Sequence, residues 1–253
     1  LPTDHPRPRT ATHRGATIAF TIDPATRTAI EHLARRHDAT PSMVLQTALA
    51  ILLHRLGAGT DIPIGTPIAG RTDEALNDLV GFFVNTWVLR LDLTDNPTAT
   101  QLLHQTRTKA LAAYTHQDAP FELLVELLNP TRSPAHHPLF QTLLAFQNNT
   151  LPTTTLPNLT VTPYPTATDT ARFDLFFNIT DTPAGEPWPA FIEYATDLYT
   201  PHTITALATR YLRILEHITA HPHHPITTID ILTPTETTQL LDTWNNTTTH
   251  TTH

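Results

Sequence analysis

Twenty-three prolines among 253 residues divide this chain into short elements more firmly than any other feature of it. A proline fixes φ and carries no N–H, so it is disfavoured in a helix interior and weakens a strand. It can open a helix, where its missing donor costs nothing. Pro2, Pro6 and Pro8 therefore mark residues 1–14 as an extended connector. Pro24 opens a helix that reaches about His37, with Ile30, Leu33 and Ala34 inward. Pro41 opens a second, carrying Val44, Leu45, Ala48, Leu49, Leu52 and Leu53 before Gly57 and Gly59 stop it. Its apolar residues exceed one stripe, so it is expected to be buried on several sides. Further helices are expected over 98–117, over 120–128, and after Pro201, where Ile204, Leu207, Ala208, Tyr211, Leu212, Leu215 and Ile218 make one apolar stripe.

Between these helices the period falls to two. Ile18, Phe20 and Ile22 alternate with small polar residues, as in a half-buried strand. Strands are also expected over 61–71, 84–93, 139–146, 159–164, 173–179 and 190–195, with a short edge strand at Ile229 and Ile231. Thr233-Pro-Thr-Glu236 starts a small helix ending near Trp244, and the Thr/His/Asn-rich residues 245–253 are expected to be disordered. Helices and strands alternate irregularly. The class is thus mixed α/β, with a mixed or largely antiparallel sheet and no simple βαβ rhythm.

Charge and composition remove several function classes. Charged residues are 15% of the chain, against the roughly 25% usual in soluble domains. About 50 threonines and 16 histidines supply the polar surface, and Lys109 is the only lysine. This is a codon-usage signature, and it warns against reading each histidine as a ligand. A net charge of −8 argues against nucleic acid, since a phosphate-backbone binder needs a basic stripe. Without cysteine there is no disulfide, thiolate nucleophile or Cys-ligated metal. No apolar run of about 18 residues and no signal-peptide core occur, so a cytoplasmic, soluble protein that does not enter a membrane is expected. His136-His137 and His223-His224 are adjacent pairs whose rings diverge, and no metal site is expected of them. Ser42 and Ser133 lie outside any Gly-x-Ser-x-Gly, and Lys109 sits in a helix away from any glycine-rich loop.

What remains is a set of dense, irregular segments: Ile64-Gly-Thr-Pro-Ile-Ala-Gly-Arg71, Gly81-Phe-Phe-Val-Asn-Thr86, His116-Gln-Asp-Ala-Pro-Phe-Glu122 and Arg132 through Gln141. In this order they resemble the C-terminal half of condensation domains of nonribosomal peptide synthetases, which have the chloramphenicol-acetyltransferase-like fold. The resemblance runs over about residues 1–245. Leu1-Pro-Thr-Asp with its following prolines is similar to the crossover between the family's two lobes. Leu232-Thr-Pro-Thr-Glu to Asn245 is similar to the connector toward an adenylation domain. The implied organisation is an inter-lobe linker at 1–14, a C-terminal lobe at 15–232 with a mixed sheet flanked by helices, and a linker at 233–253.

The resemblance implies amide-bond formation between thioesters carried on the 4′-phosphopantetheine arms of two peptidyl carrier proteins, with no cofactor bound by the chain itself. The family's base lies in His-His-x-x-x-Asp-Gly, a role suited to an imidazole titrating near neutrality. None of the seven glycines here follows an aspartate, so the motif is absent and no catalytic residue is assigned. The implied partners are an N-terminal condensation lobe, carrier proteins and a downstream adenylation domain. Candidates for the channel or the lobe interface are Gly65, Thr66, Arg71, Gly81, Phe82, Phe83, Asn85 and Thr86, with His116, Asp118 and Gln141 weaker. A latch-like crossover is expected within residues 147–172, and an exposed apolar face at Phe82, Phe83 and Trp87. For the glycines, tight turns remain as good a reading as substrate contact. For Asp118 and Glu122 an N-cap and first-turn carboxylate is the stronger reading, and for His116 a packed turn residue. A non-catalytic module recruiting carrier proteins or a tailoring enzyme is the alternative, and a stand-alone acyltransferase the third.

Overall fold

The computed structural model describes residues 1–71, 73–76, 78–148 and 168–245. The chain runs β1 (Gly15–Ile22), α1 (Pro24–Arg36), α2 (Pro41–Arg55), β2 (Asp61–Ile68), β3 (Asn85–Asp92), α3 (Ala99–Thr115), α4 (Phe121–Leu128), β4 (Thr142–Gln147), β5 (Leu175–Thr180), β6 (Trp188–Ala195), α5 (Pro201–Ala220) and α6 (Pro234–Thr238). Proline stands in the first turn of α1, α2, α5 and α6, and the residue before it accepts a backbone N–H as the cap: Asp23, Thr40, Thr200 and Thr233. At these four places the proline acts as a helix start with a capping oxygen before it.

The six strands form one mixed sheet in the order β1-β6-β5-β4-β2-β3. β2–β4 and β4–β5 pair in parallel and the other neighbours antiparallel. Helices α1, α2, α3 and α5 pack together against one face. α2 lies at their centre, with Met43 through Leu53 all buried, which is why its sequence lacks a polar face. Two buried polar contacts lock this layer: Tyr211 Oη donates to Leu45 O at 3.0 Å, and the Thr47 and Thr106 hydroxyls meet at 2.9 Å. The opposite face carries a second, smaller cluster of Phe140, Leu143 and Ala145, with Val88, Phe121, Leu139, Phe173 and Phe176 packed on it.

Several expectations shift. β4 begins at Thr142 instead of 139, because residues 137–141 form a turn closed by Gln141, whose side chain donates to His137 O and accepts from His137 N. Ile229 and Ile231 form no strand. Ile226, Ile229 and Ile231 instead plug the helical layer, with Ile226 N bonded to Pro97 O at 3.0 Å. Trp87 is 8% exposed and packs on Tyr114, so it belongs to the core and not to an exposed apolar face. Residues 1–14 have no strand or helix of their own before the bridge at Arg14, yet they are fastened to the body. Asp4 accepts from the Thr200 N–H and Thr203 hydroxyl, and Thr12 donates to Asp197. The expected strand at 159–164, most of the expected latch and the tail from 246 lie outside the described residues.

Candidate functional site

Between β2 and β3 the chain leaves the sheet and returns at Asn85. Gly70 turns it with φ of +66°, and a Cβ there would overlap the carbonyl oxygen of Phe83. Only glycine meets both demands. The Arg71 guanidinium donates to Leu76 O and to Leu79 O, and its Cζ lies 4.2 Å over the Phe83 ring. Phe83 is thereby drawn half inside, while Phe82 is left 93% exposed beside an exposed Gly81 and a fully exposed Val80. Arg71 is therefore spent on holding the loop.

Asn85 joins this loop to the next block. Its Nδ2 donates to Gln117 O at 2.9 Å and Ala119 O at 2.7 Å, and its Oδ1 accepts from Phe121 N at 3.1 Å and Thr86 N at 2.8 Å. The N-cap residue of α4 is Pro120, which makes no side-chain cap. The cap comes from Asn85, 36 positions away, and not from Asp118, which is exposed. Glu122 does sit in the first turn of α4, where a carboxylate suits the helix dipole. His116 is the exposed C-cap residue of α3.

The third block enters through Phe140. Gly65 is buried in the middle of β2, and a Cβ on it would overlap the Phe140 ring. Thr66, next along, faces the helical layer, where its hydroxyl accepts from Gln46 Nε2 at 3.1 Å. His137 lies among Phe121, Phe140 and Phe173, with ring centroids 5.5, 4.2 and 5.1 Å away. Burial, reinforced by the charge of Arg172, pushes its pKa down to about 4. The ring is neutral at physiological pH, and its buried Nδ1 has no hydrogen-bond partner among the described residues. Gly65, Asn85, Phe121, Phe140 and Gln141 thus meet at one end of the sheet, whereas Thr66 turns away and Phe82 and His116 point outward.

Beside this junction a cavity of about 250 Å³ opens between the N-terminal segment and the turns leading into β4 and β5, lined in part by Arg7, His136, His137, Gln141, Arg172 and Asp174. Arg7 forms a forked ion pair with Asp174 and also donates to Ala135 O at 3.0 Å. The hydrogen bonds to the carboxylate raise the Arg7 pKa further. This long-range pair was not visible in the sequence pattern. Nor was the cluster of His217, His221 and His224, although His217 in the last turn of α5 and its C-cap residue His221 stand four apart. Among the described residues, no group of three His, Cys, Asp or Glu side chains is arranged to hold a metal ion. No described helix is long and apolar enough to cross a membrane.

Comparison with known proteins follows the same blocks. The family model described as the condensation domain matches residues 1–241. The chain is 48% identical over 95% of its length to a probable nonribosomal peptide synthetase of Salinispora arenicola, covering 3% of that protein. It is 46% identical over 97% of its length to a dimodular nonribosomal peptide synthase of Bacillus subtilis, covering 10% of it. The chain therefore spans a tenth or less of these two relatives. Among solved structures, the X-domain from teicoplanin biosynthesis superimposes with a TM-score of 0.86 at 30% identity, over 92% of this chain and 53% of that one. The X-domain in its complex with OxyB, also from teicoplanin biosynthesis, gives 0.83 at 31% identity over 92% and 51%.

Proposed function

The chain belongs to the condensation-domain family of nonribosomal peptide synthetases, and from that premise we propose that it is the C-terminal lobe of an amide-forming enzyme. One observation carries this reading. Segments 64–86, 116–125 and 132–141 resemble the family in order along the sequence, and they converge through Asn85–Phe121 and Gly65–Phe140 on one end of the sheet. A lobe built this way forms one wall of a channel. Coverage of about half of each X-domain chain supports a unit that pairs with a second lobe.

In the reaction the amine of one carrier-bound aminoacyl thioester attacks the carbonyl carbon of the other thioester. A C–N bond forms, the C–S bond breaks, and the amine proton passes by way of a base to the departing sulfur, which leaves as the thiol of its phosphopantetheine arm. That base is assigned to the N-terminal lobe, because His-His-x-x-x-Asp-Gly is absent here. This chain's share is orientation, worth much of a barrier when two tethered reactants must meet. The exposed Leu79, Val80, Phe82 and Val84 form the apolar surface expected to meet the other lobe.

Mixing this chain with a separately made N-terminal lobe and two loaded carrier proteins tests the proposal. Amide product detected by mass spectrometry only when both lobes are present supports it; a tight pair of lobes that yields no product refutes the catalytic assignment. A second reading, a non-catalytic recruitment module, draws support from the likeness to an X-domain that forms a complex with OxyB. It predicts binding of a tailoring enzyme without any amide product.

A further inference from the structure

Strand β6 alternates apolar residues toward the helices, Trp188, Ala190, Ile192 and Tyr194, with residues that point to the opposite face. On that face stands Glu193. In register it lies between Phe176 on β5 and Thr17 on β1, with Phe191 two residues earlier on the same side. The Phe176 and Phe191 rings meet edge to face at 6.0 Å. Phe176 also packs on the cluster containing Phe140 and Phe121, so an aromatic strip runs from Glu193 to the Asn85 junction.

Glu193 is half-buried, and burial raises its pKa, an effect the nearby backbone N–H of Arg172 offsets in part. It has no ion-pair partner among the described residues. All 15 lysines and arginines fall within the described residues, so no Lys or Arg elsewhere in this chain can serve. A partly desolvated carboxylate is costly unless a cation meets it. Phenylalanine faces disfavour a second anion and attract a compact cation.

We propose that Glu193 binds the ammonium group of a carrier-borne aminoacyl substrate, seating it against Phe176 and Phe191 on the sheet face opposite the helices. The proposal deepens the amide-forming reading and rests on it. The ammonium has two sources: the α-ammonium of any aminoacyl thioester, or the side chain of a basic one.

The experiment uses the assembled two-lobe protein with acyl-loaded and aminoacyl-loaded carriers, comparing wild type with Glu193→Gln and Glu193→Asp. Circular dichroism and lobe association serve as controls. Glu193→Gln is expected to raise the KM for the aminoacyl carrier about tenfold, the loss of one charged hydrogen bond, with kcat little changed and partial recovery in Glu193→Asp. A loss with both alanyl and lysyl carriers assigns the α-ammonium; a loss with lysyl alone assigns the side chain. Unchanged kinetics overturn the proposal. So does salt-dependent weakening of lobe association in Glu193→Gln, which gives the carboxylate a cation of the other lobe. If wild type makes no amide, binding of alanyl-pantetheine amide and of its N-acetyl analogue, read by NMR of the Glu193 carboxylate, separates the two ideas. Glu193-dependent binding of the free amine alone then supports this site while the amide-forming reading falls, and absence of such binding with both alanyl- and lysyl-pantetheine amide overturns the site itself.

Discussion

The side-chain oxygen of Asn85 accepts the backbone N–H of Phe121 at 3.1 Å, so the first turn of α4 is capped from the start of strand β3. The same side chain donates to two carbonyls of the loop before that helix. One residue therefore fixes the distance between two of the three blocks that define the candidate site. Asn85→Ala should cost about 2 kcal/mol, because it removes a cap and leaves loop carbonyls without their donor. Urea unfolding measures the loss. Hydrogen exchange should quicken at residues 121–124 first, and uniform exchange throughout the chain would refute the local role.

Gly65 and Phe140 make the corresponding link to the third block, with the ring lying where a Cβ would stand. Gly65→Ala should destabilise by about 1–3 kcal/mol, as overpacking does. Phe140→Leu in that background should recover part of the loss, whereas alone it is destabilising. A double-mutant cycle reads the coupling, and purely additive effects would show that the clash is relieved elsewhere.

The N-terminal segment is predicted to be part of the folded unit. Arg7→Ala leaves the carboxylate of Asp174, itself mostly buried, without its fork. A loss of about 1.5–3 kcal/mol is expected, the range for charged hydrogen bonds. The thermal midpoint checks it, and early proteolytic cleavage within residues 1–14 of the variant gives a second readout.

Acid should weaken the chain partly through His137. Its folded-state pKa of about 4 lies below the ordinary 6.5, so as pH falls the unfolded chain takes up this proton first. Stability then declines from about pH 6.5 down to pH 4, and above that window the residue adds no slope. His137→Phe should flatten the urea midpoint against pH across this interval relative to wild type. His37 and His217, also held low by burial, maintain the remaining slope.

By itself the sequence determined most of the helices and strands, because proline, capping oxygens and apolar period act over a few residues. Pro41 with Thr40, and the unbroken apolar run to Leu53, gave α2 and its burial directly. The motif blocks likewise placed the chain in its family. The tertiary structure alone decided which residues do what within those blocks. Asp118 had the local credentials for a cap, yet Asn85 reaches the helix across 36 positions. Thr66 lies inside a motif but faces the helices, since each step along a strand reverses the side chain. Ile229 and Ile231 carried a strand's period but plug the helical core, where the neighbouring Ile226 is held by its hydrogen bond to Pro97 O. Glu193 stands in an ordinary alternating strand, and only the register that sets it beside Phe176 marks it as a half-buried carboxylate without an ion-pair partner among the described residues. Local geometry is encoded in neighbouring residues, whereas partners across the sheet depend on how all the layers pack at once.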